Sequence, residues 1–438
     1  MRVLSSQRPL RILTTLTACL LLVSMAPEAE SRARGNPRGR VLRPKPQRTD
    51  AELHAKALEL QAKMAAHLSP EGVLVDKHRI GATPEQLSHD ALALADVPIW
   101  TGCYLGSQAA RWHVTRDPEA LDQVRRLLGG LWRLSNSTGT PGRLVRTVGR
   151  PVEGEVLETR KLTPCPNGSG MWMRTDISRD QLAGVAFGYA CVAKWVDDPE
   201  LRELARAGMV GVAQRLYDDK MWLRDHRGKK TEHGELRVDV EGLPFMKNGP
   251  LACIGYAPFS VAAHLDGSRE PQRWKEKLDE AGWRRALDNQ QTTFTHLMTN
   301  SNVNMACLAL TAIRLTSGSS AARRGLESLR AASRGWWNGG IQAMYLIGGG
   351  RNRRAAADEL RVSLHAMDTS EIPPAQEVER KLRRITSIKE RGVSNWHWKR
   401  NVNRLRYAAP GSPPHPTLTY TRADWLFAYW LGRAAGVL

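Results

Sequence analysis

Two stretches of the chain repeat one pattern of apolar and polar positions. Thr101 to Trp112 is a run of small and apolar residues; Asp117-Pro118-Glu119 follows, and a charged, amphipathic stretch continues to Leu134. Leu182 to Ala193 repeats the run, Asp198-Pro199-Glu200 repeats the break, and a second amphipathic stretch reaches Leu216. Both runs open with glycines four apart, Gly102 with Gly106 and Gly184 with Gly188, a spacing that places them on one face of a helix. The pattern predicts helical hairpins, with a small-residue inner helix packed closely on its neighbours and an amphipathic outer helix facing solvent. Asp-Pro-Glu explains the restart: Asp accepts from the free first-turn amides, Pro gives up a donor that has no partner, and Glu favours the positive helix end.

Weaker copies follow. Leu251 to Leu265 pairs with Trp274 to Leu287, and Val303 to Leu315 with Ala321 to Trp336; residues 354–390 form a fifth, irregular pair. Gly348-Gly349-Gly350 with Arg351 to Arg354 reads as a hairpin connection more readily than as an anion-binding nest, since no strong strand precedes it. The last helix, Arg422 to Gly436, has a natural partner in the first, Asp50 to Leu68. Hairpins that cannot bury a face alone need stacked neighbours, and joining the two ends closes a ring of six; an open superhelix is the alternative. Trp222 to Gly234 predicts a loop or short β-hairpin inserted before the third inner helix.

Composition adds compartment and charge. With 438 residues, 42% hydrophobic and 25% charged, the chain has an ordinary globular balance and can bury a large core. Residues 1–26 read as an export signal, with Arg2, Arg8 and Arg11 before an apolar run from Ile12 to Ala26 and small residues at Ser24 and Ala26. Pro27 disfavours cleavage directly after Ala26. The run is shorter than the roughly 20 apolar residues of a membrane span, so membrane contact is expected only through this segment if it stays uncleaved. Leu16-Thr17-Ala18-Cys19 has the look of a lipoprotein acylation box, but the apolar run continues past Cys19, where such a box ends it. Residues 27–49, rich in Pro and Arg, read as a linker, and 50–438 as one helical domain.

Net charge is +20, a field that draws anionic partners. The excess is mostly Arg, is spread along the whole chain and comes with no nucleic-acid-binding motif, so nucleic acid is not expected as a partner; an acidic polysaccharide fits better. Five cysteines follow the signal, an odd number, and Cys103, Cys191, Cys253 and Cys307 lie in small-residue helical runs as small buried residues. The chain has no CxxC or HExxH, so neither a metal nor another cofactor is expected. It also lacks the glycine and serine motifs of dinucleotide-binding proteins and serine hydrolases.

From residue 50 to 438 the chain resembles the six-hairpin (α/α)6 toroid superfamily, which holds many glycoside hydrolases and polysaccharide lyases. Besides the hairpin count, Trp100-Thr101-Gly102, Thr138-Gly139-Thr140-Pro141-Gly142, Asp176-Ile177-Ser178-Arg179-Asp180 and the end Asp424-Trp425-Leu426 with Tyr429-Trp430 carry the resemblance. They are most similar to a subgroup of exported toroid proteins, and imply fold more than activity. The family pattern before the Ser carries Gly-Asp; here Thr175-Asp176 stands in its place. What the resemblance implies is an all-α (α/α)6 toroid, a cavity walled by loops at one end of the inner helices, and a carbohydrate partner.

Helix starts therefore matter most. In Trp172-Met173-Arg174-Thr175-Asp176-Ile177-Ser178-Arg179-Asp180-Gln181, Ser178 and Gln181 form a capping box. Asp176 and Asp180 converge there with Trp172 and Arg174. The positive helix end keeps such carboxylates ionised, which suits a base, a nucleophile or an oxocarbenium stabiliser. The plain alternative is that both only cap a helix. A glycosidase also needs an acid, for which Glu232 and His233 are candidates, against their reading as a solvated turn. Arg143 and Arg146 are placed to clamp a carboxylate or to form structural ion pairs. Tryptophan is unusually frequent, 14 against 5 Phe and 8 Tyr, and Trp100, Trp172 and Trp396 are the three expected to stack on sugar. The whole reads as an exported carbohydrate-active protein, a hydrolase or lyase acting on an acidic glycan; the alternative is a non-catalytic toroid binding glycan or protein at the cell envelope.

Overall fold

Each small-residue run folds as a helix, and each Asp-Pro-Glu starts the next. In the computed structural model the chain begins with α1 (Asp50–Lys63), β1 (Lys77–Arg79), α2 (Pro84–Ala93), α3 (Val97–Thr115) and α4 (Pro118–Asn136). Next come β2 (Thr147–Gly149), β3 (Leu162–Pro164), β4 (Trp172–Arg174), α5 (Arg179–Trp195) and α6 (Pro199–Asp218). The strands β5 (Trp222–Arg224), β6 (Lys230–Glu235), β7 (Asp239–Val240) and β8 (Leu243–Lys247) lead into α7 (Gly249–Leu265), α8 (Arg269–Glu280) and the short α9 (Trp283–Ala286). The chain ends with α10 (Asn300–Ser317), α11 (Ser320–Ala332), α12 (Gly339–Ile347), α13 (Arg353–Ala366), β9 (Leu418–Tyr420) and α14 (Ala423–Ala434). The structure describes residues 49–155, 161–240, 243–290, 300–333, 338–367 and 418–438. The expected signal, most of the linker and Trp396 lie outside them.

Among the described residues, α3, α5, α7, α10, α12 and α14 form an inner ring in which each packs on the next and α14 returns to α3. α4, α6, α8, α11 and α13 lie outside their inner partners, and α1 covers α14. This is an (α/α)6 toroid, and the open superhelix is excluded. At the seam β1 pairs antiparallel with β9, Lys77 opposite Tyr420. There the Thr421 amide donates to the Asp76 carbonyl at 3.0 Å, and His54 Nδ1 lies 3.0 Å from the Tyr429 hydroxyl. No described helix is long and apolar enough to cross a membrane.

Capping follows the sequence. The Asp117 carboxylate accepts from the Glu119 amide at 3.0 Å, and Asp198 accepts from Leu201 at 2.9 Å. The glycines four apart sit at the crossing of α3 and α5: a Cβ at Gly102 would overlap the Gly184 carbonyl, and one at Gly188 would lie 2.6 Å from the Gly102 oxygen. Neighbouring inner helices run parallel where contacts fix their direction: Cys253 and Ser260 of α7 meet Ala306 and Thr316 of α10 in that order, and Gly102 and Gly106 of α3 meet Gly184 and Phe187 of α5. Their starts therefore share one end of the ring. α5 also packs on α10 across the ring, and the rings of Phe187 and Phe427 meet at 5.5 Å. The middle of the toroid is thus core, and a site must lie at an end.

Two hairpins differ from expectation. The third outer helix breaks at Gly282, whose φ of 85° ends α8 and restarts the chain as α9. The fifth pair is α12 with α13, beginning earlier than residue 354 because the short apolar α12 hides among glycines; Gly348 to Gly350 is the connection between the two. The five described cysteines are free and buried, and burial pushes the Cys253 and Cys307 thiols well up, which leaves them unreactive. The inserted hairpin exists as β5 and β6, with Trp222 opposite Glu235.

Candidate functional site

Strand β4 is the middle of a three-stranded sheet, with β2 on one side and β3 on the other; Arg174 lies opposite both Thr147 and Leu162. The sheet aims the chain at the start of α5. There the Ser178 amide donates to Gln181 Oε1 at 2.9 Å, the backbone half of the predicted capping box. Gln181 Nε2 donates in turn to the Ala95 carbonyl and to Asp96 Oδ1, each at 3.2 Å, tying the starts of α3 and α5 together.

Arg146 links both carboxylates. Its Nη2 donates to Ser178 Oγ at 2.6 Å, and the Ser178 hydroxyl donates to Asp180 Oδ1. Its Nε lies 3.5 Å from Asp176 Oδ1. Asp176 is held more closely by Arg174, whose Nε and Nη2 reach its two oxygens at 2.8 and 3.2 Å. Lys161 Nζ completes the set at 3.0 Å. Burial would raise the Asp176 carboxyl, but the bonds from Arg174 and Lys161 and the charges of Arg146 and Arg174 outweigh it and hold the group below the usual carboxylate range. Asp176 therefore stays ionised and is a weak base. It can stabilise positive charge; it is poorly suited to taking a proton.

The β5–β6 hairpin reaches the same place. Its turn is fixed by Asp225, which accepts from the amides of Arg227 and Lys229 at 2.9 Å each. His226 Nδ1 lies 3.1 Å from Thr175 Oγ1, and Arg227 Nε donates to His226 Nε2 at 3.2 Å. Because a guanidinium only donates, Nε2 is the acceptor in that contact, which leaves Nδ1 to face Thr175. Below the hairpin, Asp219 pairs with Arg143 at 3.3 Å and Arg224 at 3.4 Å.

The predicted residues divide accordingly. Asp176, Asp180, Arg146 and Arg174 are brought together, and Trp172 is half-buried on the adjoining strand. Arg143 is the structural ion pair of its two readings, spent on Asp219. Three expectations are corrected. Trp100 is 1% exposed, packed in a helix buried on every side, and offers no ring face to a sugar. Glu232 and His233 have side chains 82% and 63% exposed and lie 3.8 Å from each other on β6, so the expected acid is not packed into the site. Sequence reasoning missed Lys161 and His226. Lys161 lies in a polar loop without periodicity, and the only signal for His226 was its place in a tight Asp-His-Arg-Gly turn beside the site.

Exchanging Arg146 for Lys tests its linking role. An ammonium cannot reach Ser178 and Asp176 together, and a hydrogen bond to a charged group contributes about 1.5–3 kcal/mol. Arg146→Lys is expected to lower stability by about 2 kcal/mol in denaturant melts; an unchanged midpoint would mean the guanidinium ties nothing.

No family model matches the chain, and no curated protein matches it in sequence. Among solved structures it is similar to an inactive variant of an α-1,6-mannanase of a Salegentibacter species in complex with α-1,6-mannotriose, at 11% identity and a TM-score of 0.45 over 88% of this chain and all of that one. A glycoside hydrolase family 76 α-mannanase of Bacteroides thetaiotaomicron is similar at 12% identity and a TM-score of 0.45, over 87% of this chain and 95% of that chain. Cellobiose 2-epimerase from Spirochaeta thermophila follows at 13% and 0.44, over 88% and 98%. These are loose superpositions, and the closed ring of paired helices rests on this chain's own packing.

Proposed function

We propose that this toroid is a carbohydrate-active protein whose site lies at the start of α5 and takes glycans that carry carboxylates. The observation behind the reading is the convergence of Arg146, Arg174 and Lys161 at one inner-helix start, where a half-buried Trp172 adjoins them and inner-helix amides add positive potential. Asp180 is the carboxylate proposed to work on the sugar, and the imidazole at Thr175, His226, is the proposed proton carrier in place of Glu232 and His233. Hydrolysis and elimination both suit this set. The test is the full-length protein on uronic-acid oligosaccharides, followed by reducing ends and by the ultraviolet absorbance of an unsaturated product. Asp180→Asn is expected to lower kcat about a hundredfold or more; a wild-type rate would remove it from the mechanism.

A second reading, a non-catalytic binder, is favoured by the exposure of Glu232 and His233, which leaves no predicted acid packed against Asp176. It predicts binding without turnover and an Asp180→Asn variant that binds normally. We also propose that residues 1–26 export the chain to the envelope or beyond and that residues 27–49 tether the fold. The mass of the mature protein shows whether the signal is removed.

A further inference from the structure

Asp176 is held in the way a protein holds a bound carboxylate. The side-on edge of Arg174 meets both of its oxygens, the planar fork geometry that suits carboxylates, and Lys161 and Arg146 add two more cations. Three cations reach this one carboxylate, and Arg146 also reaches Asp180 through the Ser178 hydroxyl. The arrangement is also open. Asp176 is 26% exposed and Lys161 59%, whereas Asp219 and Arg143, the other carboxylate–arginine group nearby, are 13% and 12% exposed. Asp176 stands before the Ser178 cap, on the short link between β4 and α5, and takes no part in the capping box, which is made by Ser178 and Gln181.

We propose that Asp176 is a resident stand-in for a carboxylate of the ligand: it occupies the clamp made by Arg174, Lys161 and Arg146 until a uronic-acid carboxylate displaces it. The proposal rests on the acidic-glycan reading above and gives Asp176 a role distinct from catalysis. The internal carboxylate lowers affinity for simple anions and lets only a ligand with further contacts to the sugar enter. Its consequence runs opposite to that of a catalytic or binding carboxylate, since removing Asp176 must tighten ligand binding.

The experiment is calorimetric titration of the full chain with D-glucuronate, with sulfate and D-glucose alongside, in the wild type, Asp176→Asn and Asp219→Asn. Asp176→Asn is expected to bind glucuronate about tenfold more tightly than wild type or better, to gain much less for sulfate and to show no change for glucose. Asp219→Asn should match the wild type throughout, and Arg174→Gln added to Asp176→Asn should reverse the gain. Equal tightening for sulfate, or the same tightening in Asp219→Asn, would reduce the effect to bulk charge and overturn the proposal. So would unchanged glucuronate affinity in Asp176→Asn. If the wild type binds uronic-acid oligosaccharides while Asp176→Asn shows no gain, the stand-in fails and the acidic-glycan reading survives. If the wild type binds only neutral glycans while Asp176→Asn gains glucuronate, the clamp stands and that reading fails.

Discussion

Acidifying the protein from pH 6.5 to 3 is expected to remove roughly 4 kcal/mol of stability through His67 alone. This imidazole is 6% exposed at the ring seam, and its Nδ1 lies 2.9 Å from His78 Nε2. Burial first, then the charges of His78 and Arg422, push its pKa down to about 3 from 6.5. Between those two values the unfolded chain takes a proton that the fold refuses, so stability is whole above pH 6.5 and falls as the pH drops through the window. Asp76, next to the same seam, acts with the opposite sign. Burial raises its carboxyl from 3.8 to about 6, so its contribution is whole below 3.8 and fades as the pH rises through 6. Between pH 6 and 4 the two oppose each other, and the steepest loss should come below pH 4. Denaturant melts across this range check the signs. His67→Gln should remove the loss, and Asp76→Asn should spread it over the whole window. An Asp76→Asn variant with equal stability at pH 6.5 and 3 would show that His67 takes its proton without cost.

Substituting Gly102 by Ala should destabilise the toroid by about 1–3 kcal/mol, although the same change in an ordinary helix gains up to about 1 kcal/mol of propensity. The new methyl group would overlap the Gly184 carbonyl. That is backbone, so the α3–α5 crossing has to open and lose packing along both helices. Two adjacent glycines of α4 provide the control. Gly130 faces the Gly72 carbonyl with no room for a Cβ, whereas a Cβ at Gly129 meets only Arg133 Nη1, at 3.5 Å. Gly130→Ala is expected to behave like Gly102→Ala, and Gly129→Ala to be neutral or stabilising. Thermal melts of the three variants measure the contrast. Equal effects at all three positions would mean that helix propensity, and not close approach, sets the cost.

The carboxylate clamp and the glycine crossing belong to one design. Close packing of α3 on α5 sets their starts side by side, and Gln181 spans them to reach Ala95 and Asp96. Loosening that crossing is therefore expected to disturb the position of Ser178, and with it the hold of Arg146 on Asp180.

The local periodicities of this sequence determined its helices, their Asp-Pro-Glu starts, the division into small-residue inner and amphipathic outer rods, and the closing of the last hairpin on the first. Each follows from interactions within a few residues or from a face that has to be covered, and such information is written along the chain. The capping box at Ser178 and the meeting of Asp176 with Arg174 were legible for the same reason, being two to three residues apart. Tertiary structure alone decided the rest. Lys161 reaches Asp176 because β3 pairs with β4, and His226 reaches Thr175 across 51 residues of sequence because a hairpin folds back from another repeat. Trp100 is buried because its helix is enclosed on all sides, while Glu232 and His233 are exposed on the β5–β6 hairpin. Loop residues have no period from which a direction can be read, and their partners are chosen by strand pairing and ring closure between segments far apart in the chain.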